Sequence, residues 1–450
     1  MSTHRLLILL VATAVLCVPS PATSLDVFAP ELVTVGPREA VMTWTTDSPC
    51  QGSVRYGPSA GDLRWELSET AQAQFHRVEL YGLQPDQAYV YEIDSCGLIA
   101  ENDNLNPGYF YTLTEPRGEF LFRFGTINDM HIGEESSGIL TLGDIVIGKG
   151  FSWPDPENPY WMFSNEAALE GLLAHDIELL VNKGDVASEA LLEEYEIYLN
   201  MIDGYPVPVS VVRGSHDCAG LDEEDSFLDI LGLASANQSF SYGGFKFLLI
   251  DTIEPILGLP ELLEETRGFL EFELNKDPGV PVLLFTHYPP KGPFGMHGAG
   301  VPLLAILDSH PEILAVFAGH SHRAAVDLYL TADGRVVPLI ETPSSKEYPL
   351  GYTIYDVYTD GFVQTFHRSD CEECRAWQYI TRGEYWGAAP MIMMGDLGDR
   401  CFTYLFEEPI SGGDDDDDDL LPDPSDSDDG FEFEHKENSG CGQAHITGIN

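Results

Sequence analysis

The chain has 450 residues, 44% of them hydrophobic, and a formal net charge of −52 from 22 Lys and Arg against 74 Asp and Glu. The hydrophobic fraction excludes disorder along the whole chain, and the length suffices for about two or three domains. The charge excludes nucleic-acid binding through backbone neutralisation, which needs a basic face to release counterions. Taken from the N-terminus, His4 and Arg5 precede the apolar run Leu6 to Val18, and Pro19-Ser20-Pro21 leads into the small residues Ala22-Thr23-Ser24. Residues 1–24 are therefore expected to be a cleaved secretory signal, with an uncleaved anchor as the alternative. No later stretch approaches the ~20 apolar residues needed to cross a bilayer, so no transmembrane segment is expected in the mature chain. The expected location is secreted, cell-surface or periplasmic.

From residue 25 to 116 the pattern is short alternating runs broken by turn residues: Ala40 to Thr45, Ser53 to Tyr56, His76 to Leu80 and Tyr89 to Ile93. This spacing predicts a small all-β sandwich. Gly82-Leu83-Gln84-Pro85 ahead of Tyr89 and Tyr91 resembles the tyrosine corner of a fibronectin type III-like domain, with Trp44 as its core aromatic. No catalytic constellation lies here. The domain serves as a spacer or substrate-facing wall, or as a folding partner for the larger domain C-terminal to it.

After Arg117 apolar strands alternate with helical patterns, which predicts an α/β architecture over residues 117–370. Strands are expected at Phe120 to Ile127, Ile177 to Asn182, Val207 to Val212, Phe245 to Asp251, Val282 to Thr286 and Ile313 to Ala318, with strand and turn again from Arg335 to Arg368. Helices are expected at Asn165 to His175, capped by Ser164, at Glu189 to Met201 and at Pro260 to Leu274. A C-terminal extension covers 371–410. Residues 411–450 form an acidic tail with six consecutive aspartates, Asp414 to Asp419, expected to be disordered. Ser411 to Asn438 holds thirteen acidic residues and one lysine, leaving about −40 elsewhere, so the body itself is acidic. The tail fails the calcium hand-loop pattern, because Ser425 and Ser427 take the first and third ligand positions and Lys436 the twelfth. Diffuse Ca2+ binding by the tail and a plain solvated linker both remain open.

Eight cysteines become seven if Cys17 leaves with the signal, an odd number in a compartment that permits disulfides. Cys50 with Cys96 is the expected pair in the small domain. Cys371 and Cys374 form a lone C-x-x-C, without a second such pair for zinc or a thioredoxin-like setting, and read as a local bridge.

The chemistry-bearing residues sit where strands end. Asp129 and His131, two apart on an extended chain, point to one side. Gly184-Asp185 follows a buried strand, with Gly184 allowing a tight turn and Asp185 placed to bridge two ions. Arg213-Gly214-Ser215-His216-Asp217 follows a Val-rich strand, His287 another, and His320-Ser321-His322 ends the series with a second same-face pair. Open α/β sheets place their sites at the carboxyl ends of strands, and five Asp/His elements in this order behind apolar runs are a joint signal that none gives alone.

The series D-x-H, G-D, G-N-H-D, H and G-H-x-H, here with Ser215 in the Asn position, resembles the signature of the calcineurin-like metallophosphoesterases. Phe120 to about His367 follows it. With the fibronectin-like domain in front, the arrangement is similar to that of purple acid phosphatases. The resemblance implies a sandwich of two mixed β-sheets flanked by helices, and two divalent ions (Zn, Fe or Mn) held by mixed Asp/His donors without thiolate. It implies that Asp129, His131, Asp185 and His322 hold one ion and that Asp185, Ser215, His287 and His320 hold the other. The substrate implied is a phosphomonoester or phosphodiester, hydrolysed by a metal-bridged hydroxide. His216 would protonate the leaving oxygen and Asp217 would orient it. Arg213 would grip a phosphate oxygen or form a structural ion pair. Two departures stand out: Ser215 is a shorter ligand than the family's Asn, and Ser188 replaces the tyrosine of a ferric-tyrosinate centre. G-x-S-x-G and Walker-type loops are absent, so no nucleophilic side chain is indicated. From a different class comes the alternative that Ser215 marks a degenerate centre and the chain is a cell-surface binding module that keeps the fold.

Overall fold

The computed structural model describes residues 25–138, 140–142, 145–218 and 225–410. The expected signal (1–24) and the acidic tail (411–450) lie outside the described residues. Two antiparallel sheets make up the N-terminal part. One orders Val27–Val35, Glu39–Cys50 and Ala73–Tyr81; the other orders Trp65–Ser68, Gly52–Gly57, Ala88–Ser95 and Leu98–Ile99, with Tyr109–Tyr111 also on Ala88–Ser95. The strand Ala88–Ser95 shows why this sequence folds so: Tyr89, Tyr91, Ile93 and Ser95 are buried and alternate with more exposed neighbours, the period of a half-buried strand. Trp44 is buried between the sheets and its Nε1–H donates to Ser95 Oγ at 2.7 Å. The Gln84 N–H donates to Tyr89 Oη at 3.1 Å. Cys50 and Cys96 form a disulfide, as do Cys371 and Cys374.

The larger part is a sandwich of two six-stranded mixed sheets flanked by helices. The first orders Val209–Val211, Leu179–Asn182, Phe120–Ile127, Gly351–Tyr358, Gly361–Arg368 and Phe402–Leu405; the second orders Gln238–Tyr242, Phe245–Leu249, Val282–Phe285, Ile313–Ala318, Val336–Glu341 and Ala325–Leu330. Between them lies an aromatic core in which Phe247, Phe285 and Phe317 stack in series and Phe124 stacks on Tyr355 at 4.6 Å. Because both faces of these central strands are covered, they read as continuous apolar runs rather than alternating ones. Helices Tyr160–Ala174 and Leu192–Ile202 cover the outer face of one sheet, and Glu264–Lys276 and Val301–Ser309 that of the other. Among the described residues no helix is long and apolar enough to cross a membrane.

Three helix starts differ from expectation. The first begins at Tyr160 with Pro159 as its N-cap, and Ser164 is buried inside it. Proline's φ is preset for a helix entry, and the cap serine predicted from sequence instead faces the core. The second begins at Leu192, where the Glu194 carboxylate reaches back to the N–H groups of Leu191 and Glu189, both at 3.0 Å. The third begins at Glu264 rather than Pro260. The stretch set apart as a C-terminal extension is built into the sandwich: Phe402–Leu405 pairs with Gly361–Arg368, and Trp377 stacks on Tyr160 at 4.4 Å.

The N-terminal sheets are pinned to the sandwich through a buried charge. Glu31, 1% exposed, takes hydrogen bonds from Arg368 Nη2 at 2.5 Å, Arg382 Nε at 2.9 Å and the Tyr348 hydroxyl at 2.9 Å. Val33 packs beside it with Phe366, Ala389 and Met394.

Candidate metal centre

Each predicted element is delivered by the carboxyl end of a strand, three from one sheet and two from the other. Asp129 and His131 follow Phe120–Ile127, Asp185 follows Leu179–Asn182, Ser215 and His216 follow Val209–Val211, His287 follows Val282–Phe285, and His320 and His322 follow Ile313–Ala318. The side chains converge in three overlapping groups: Asp129, His131 and His322; His131, Asp185 and His216; Asp185, His287 and His320. Within each group the donor atoms lie within 4.8 Å of one another.

The backbone at these residues is not the extended chain expected from sequence. Asp129, His131, Asp185, His320 and His322 have φ of +53°, +43°, +52°, +65° and +54°. Non-glycine residues in this region cost about 1–3 kcal/mol each and persist only where the surroundings impose them. Here the turns are laced together. The Asp129 N–H donates to Gly184 O at 2.9 Å, the His131 N–H to Asp185 O at 3.0 Å and the Gly319 N–H to His287 O at 3.0 Å. Gly184 is required at φ +97°, since a Cβ there would lie 2.8 Å from both the Gly214 backbone and His287 Nδ1. Same-side presentation of each D-x-H and H-x-H pair comes from these turns, not from a pleat.

Tautomers give the clearest test of whether the residues fit a metal. His287 Nδ1 lies 2.9 Å from Lys183 O, His216 Nδ1 2.7 Å from Ser188 O, and His322 Nδ1 2.5 Å from Glu347 Oε1. Carbonyl and carboxylate oxygens only accept, so each Nδ1 is the donor and each neutral ring has its Nε2 lone pair for the centre. Those lone pairs meet other acceptors. His287 Nε2 faces Asp185 Oδ2 at 3.2 Å, and His322 Nε2 faces Asp129 Oδ1 at 3.3 Å. Acceptors facing acceptors in a buried site demand a cation or a proton between them. Without metal the protons appear: burial lowers His287, but the Asp185 carboxylate outweighs it and raises the ring to about 9, while Asp129 and Glu347 raise His322 well above its ordinary value against the same burial. Burial opposes ionisation of Asp185 too, yet His287 and His216 hold it well below the usual carboxylate range. The mixed nitrogen and carboxylate set fits zinc, iron or manganese.

The geometry bears on three of the expected roles. Asp217 does not touch the His216 ring. Its carboxylate accepts the N–H groups of Gly214 (2.9 Å), Ala187 (3.1 Å) and Val186 (3.3 Å) and the Tyr195 hydroxyl (3.1 Å), tying two ligand loops together. Orientation of His216 falls to the Ser188 carbonyl. Arg213 turns away to Asp225 at 2.5 Å and Asp251 at 3.4 Å and lies over Phe227, so the ion pair weighed against phosphate binding is the arrangement present. Ser215 Oγ sits 3.3 and 3.4 Å from the two Asp185 oxygens, beside the carboxylate it was expected to share an ion with. Sequence reasoning missed Glu347 and Asn128. Asn128 Nδ2 donates to Asp129 Oδ2 at 2.5 Å and to the carbonyls of Thr342 and Pro343, both at 3.2 Å, fixing the aspartate. Asn128 was visible as the residue between strand and ligand; Glu347, 25 positions after His322, carried no local signal.

Residues 122–324 match the profile of the calcineurin-like phosphoesterase family. A 3′,5′-cyclic-nucleotide phosphodiesterase of Nostoc sp. is 27% identical over 160 residues, covering 34% of this chain and 58% of the relative. A probable glycerophosphodiester phosphodiesterase of Arcobacter nitrofigilis is 29% identical over 179 residues, covering 34% of this chain and 59% of the relative. The 3′,5′-cyclic adenosine monophosphate phosphodiesterase of Escherichia coli K12 is 28% identical over 194 residues, covering 40% and 66%. The chain thus spans roughly three fifths of the length of the first two relatives. With the Asp/His series converging at the strand ends inside the matched region, residues 122–324 are similar to calcineurin-like phosphoesterase domains.

Proposed function

We propose that the chain is a secreted, metal-dependent phosphoesterase that prefers phosphodiesters. The observation that carries this is the convergence of buried Asp and His donors with three rings locked as Nδ1 donors. Two divalent ions held by Asp129, His131, Asp185 and His322 and by Asp185, Ser215, His287 and His320 would supply the charge that acidifies a water and clamps phosphate oxygens. His216 is the exposed member of the set; with Nδ1–H held by the Ser188 carbonyl, its Nε2 would deliver a proton to the leaving ester oxygen from the doubly protonated ring.

Charge favours the diester. A monoester carries about −1.5 to −2 at neutral pH, a diester only −1, and this chain bears −52 while Arg213 is committed to Asp225 and Asp251. A diester is repelled less by the body and needs less countercharge from side chains. The phosphodiesterase activities of these relatives agree with this. The acidic body and the two disulfides support secretion, and the Gln84–Tyr89 contact and the Trp44 core support a fibronectin type III-like reading of the N-terminal sheets. The test is hydrolysis of bis(p-nitrophenyl) phosphate and p-nitrophenyl phosphate with added Mn2+ or Zn2+, then chelator. Higher kcat/KM on the diester, abolished by chelation, supports the proposal. Folded protein inert with every divalent ion would favour the binding-module alternative, for which Ser215 in the family's Asn position is the ground.

A further inference from the structure

Behind His322 three side chains from separate segments form a buried chain. His322 Nδ1–H donates to Glu347 Oε1 at 2.5 Å; Ser137 Oγ bonds Glu347 Oε2; and the same Oγ lies 2.7 Å from Glu384 Oε1. Ser137 and Glu384 are 0% exposed and Glu347 1%. Lys346 Nζ neutralises the far side of Glu347 at 3.4 Å and is itself held by Glu134. A serine hydroxyl has one hydrogen and cannot donate to two carboxylates. Glu347 already accepts from His322 and faces a lysine, so it is the anion. The remaining contact is a hydrogen bond only if Glu384 is neutral and donates its own proton to Ser137 Oγ. Burial, with the Glu347 charge added to it, raises Glu384 to about 9, in keeping with that assignment.

Glu384 is held there at a cost. Tyr385 and Trp386, next in the chain, have φ of +49° and +57°, and Gly138 leaves room for the glutamate because a Cβ there would stand 2.8 Å from Glu384 Cγ. Strained backbone beside a fixed side chain is the pattern expected where surroundings enforce a position. The same C-terminal segment grips the 346–348 stretch: Trp377 Nε1–H donates to Lys346 O at 2.7 Å, and the Tyr348 N–H donates to Thr381 Oγ1 at 3.0 Å. Glu347 and Glu384 both lie beyond the 122–324 region that matches the family.

We propose that the C-terminal segment completes the metal centre: neutral Glu384, Ser137 and Glu347 form a positioning relay that fixes the His322 ring with Nε2 toward Asp129 and His131. The proposal rests on the reading of this site as a metal centre. Partners of this kind typically govern metal affinity by roughly 10- to 100-fold.

The experiment titrates Mn2+ into metal-free full-length protein by calorimetry, with folding checked by near-UV circular dichroism. Glu347→Gln, Ser137→Ala and Glu384→Leu should each weaken one of the two binding events by roughly 10-fold or more. Glu384→Gln, whose amide donates as the neutral acid does, should stay within about 2-fold of wild type. If Ser137→Ala and Glu384→Leu bind Mn2+ as wild type does, the relay is overturned. If Glu384→Gln weakens binding as much as Glu384→Leu, the neutral-donor assignment is wrong. Should Glu384→Leu fail to fold, Ser137→Ala alone decides. Wild-type protein that binds no Mn2+ would instead bring down the metal-centre reading on which the relay stands.

Discussion

Asp185→Asn separates ligand charge from fold. Asp185 Oδ1 accepts the His216 N–H at 2.7 Å, so the amide oxygen would turn there and Nδ2–H would meet His287 Nε2, now 3.2 Å from Oδ2. The substitution is nearly isosteric. In metal-free protein Asp185 is the main group that, against burial, raises His287 from 6.5 to about 9. A histidine raised on folding contributes stability that is complete below its unfolded value and is lost as pH rises through its folded one. Between 6.5 and about 9, at about 1.36 kcal/mol per pH unit, the contribution comes to about 3 kcal/mol. Urea unfolding in EDTA at about pH 6 and about pH 9.5 brackets that window. Wild type minus variant should become about 3 kcal/mol more favourable on going from the alkaline to the acid end. Because Mn2+ competes with the same proton, wild-type affinity should climb with pH while the variant binds weakly throughout. A pH-independent difference, or full Mn2+ binding by the variant, would refute the assignment of Asp185 as the shared anion.

His216→Ala should lower diester hydrolysis by about 10²- to 10⁴-fold and leave urea stability within about 0.5 kcal/mol, since the ring is exposed. Asp217→Asn should act on stability and leave diester kcat/KM near wild type, because Ser188 and not Asp217 holds His216; a loss as large as that of His216→Ala would contradict the geometry. Ser215→Asn lengthens the arm beside Asp185 and should raise occupancy of the position formed with His287 and His320, read by elemental analysis after dialysis against limiting Mn2+; unchanged stoichiometry and rate would remove Ser215 from the account. Glu31→Ala strands Arg368 and should cost about 3–5 kcal/mol in urea unfolding, whereas a loss below about 1 kcal/mol would show that the N-terminal sheets are not pinned by this charge.

The ligand series was legible because each member follows an apolar strand, and strands such as Phe120–Ile127 and Ile313–Ala318 can be bounded from composition alone. The turns carrying Asp129 and His131 were not, since their left-handed conformations are imposed by contacts with Gly184 and Asp185, more than fifty residues away. For the same reason the sequence left Arg213 between a phosphate contact and an ion pair: Asp225 and Asp251 reach it only once the chain has folded. Adjacency in sequence suggested that Asp217 orients His216, but the strand end turns the two side chains apart. Glu347 gave no signal because a carboxylate supporting a ligand follows no fixed spacing. Pro159 and Glu194 show the local version of the problem, where a helix start is set by whichever residue the tertiary structure leaves facing the first turn.

Anomalous diffraction from crystals of the full chain grown with Mn2+ tests the central claim most directly. Two peaks are expected, one among Asp129, His131 and His322 and one beside His287 and His320, with Asp185 touching both. Peaks elsewhere, or none at this cluster while Mn2+ is present in solution, would contradict the proposed hydrolytic centre.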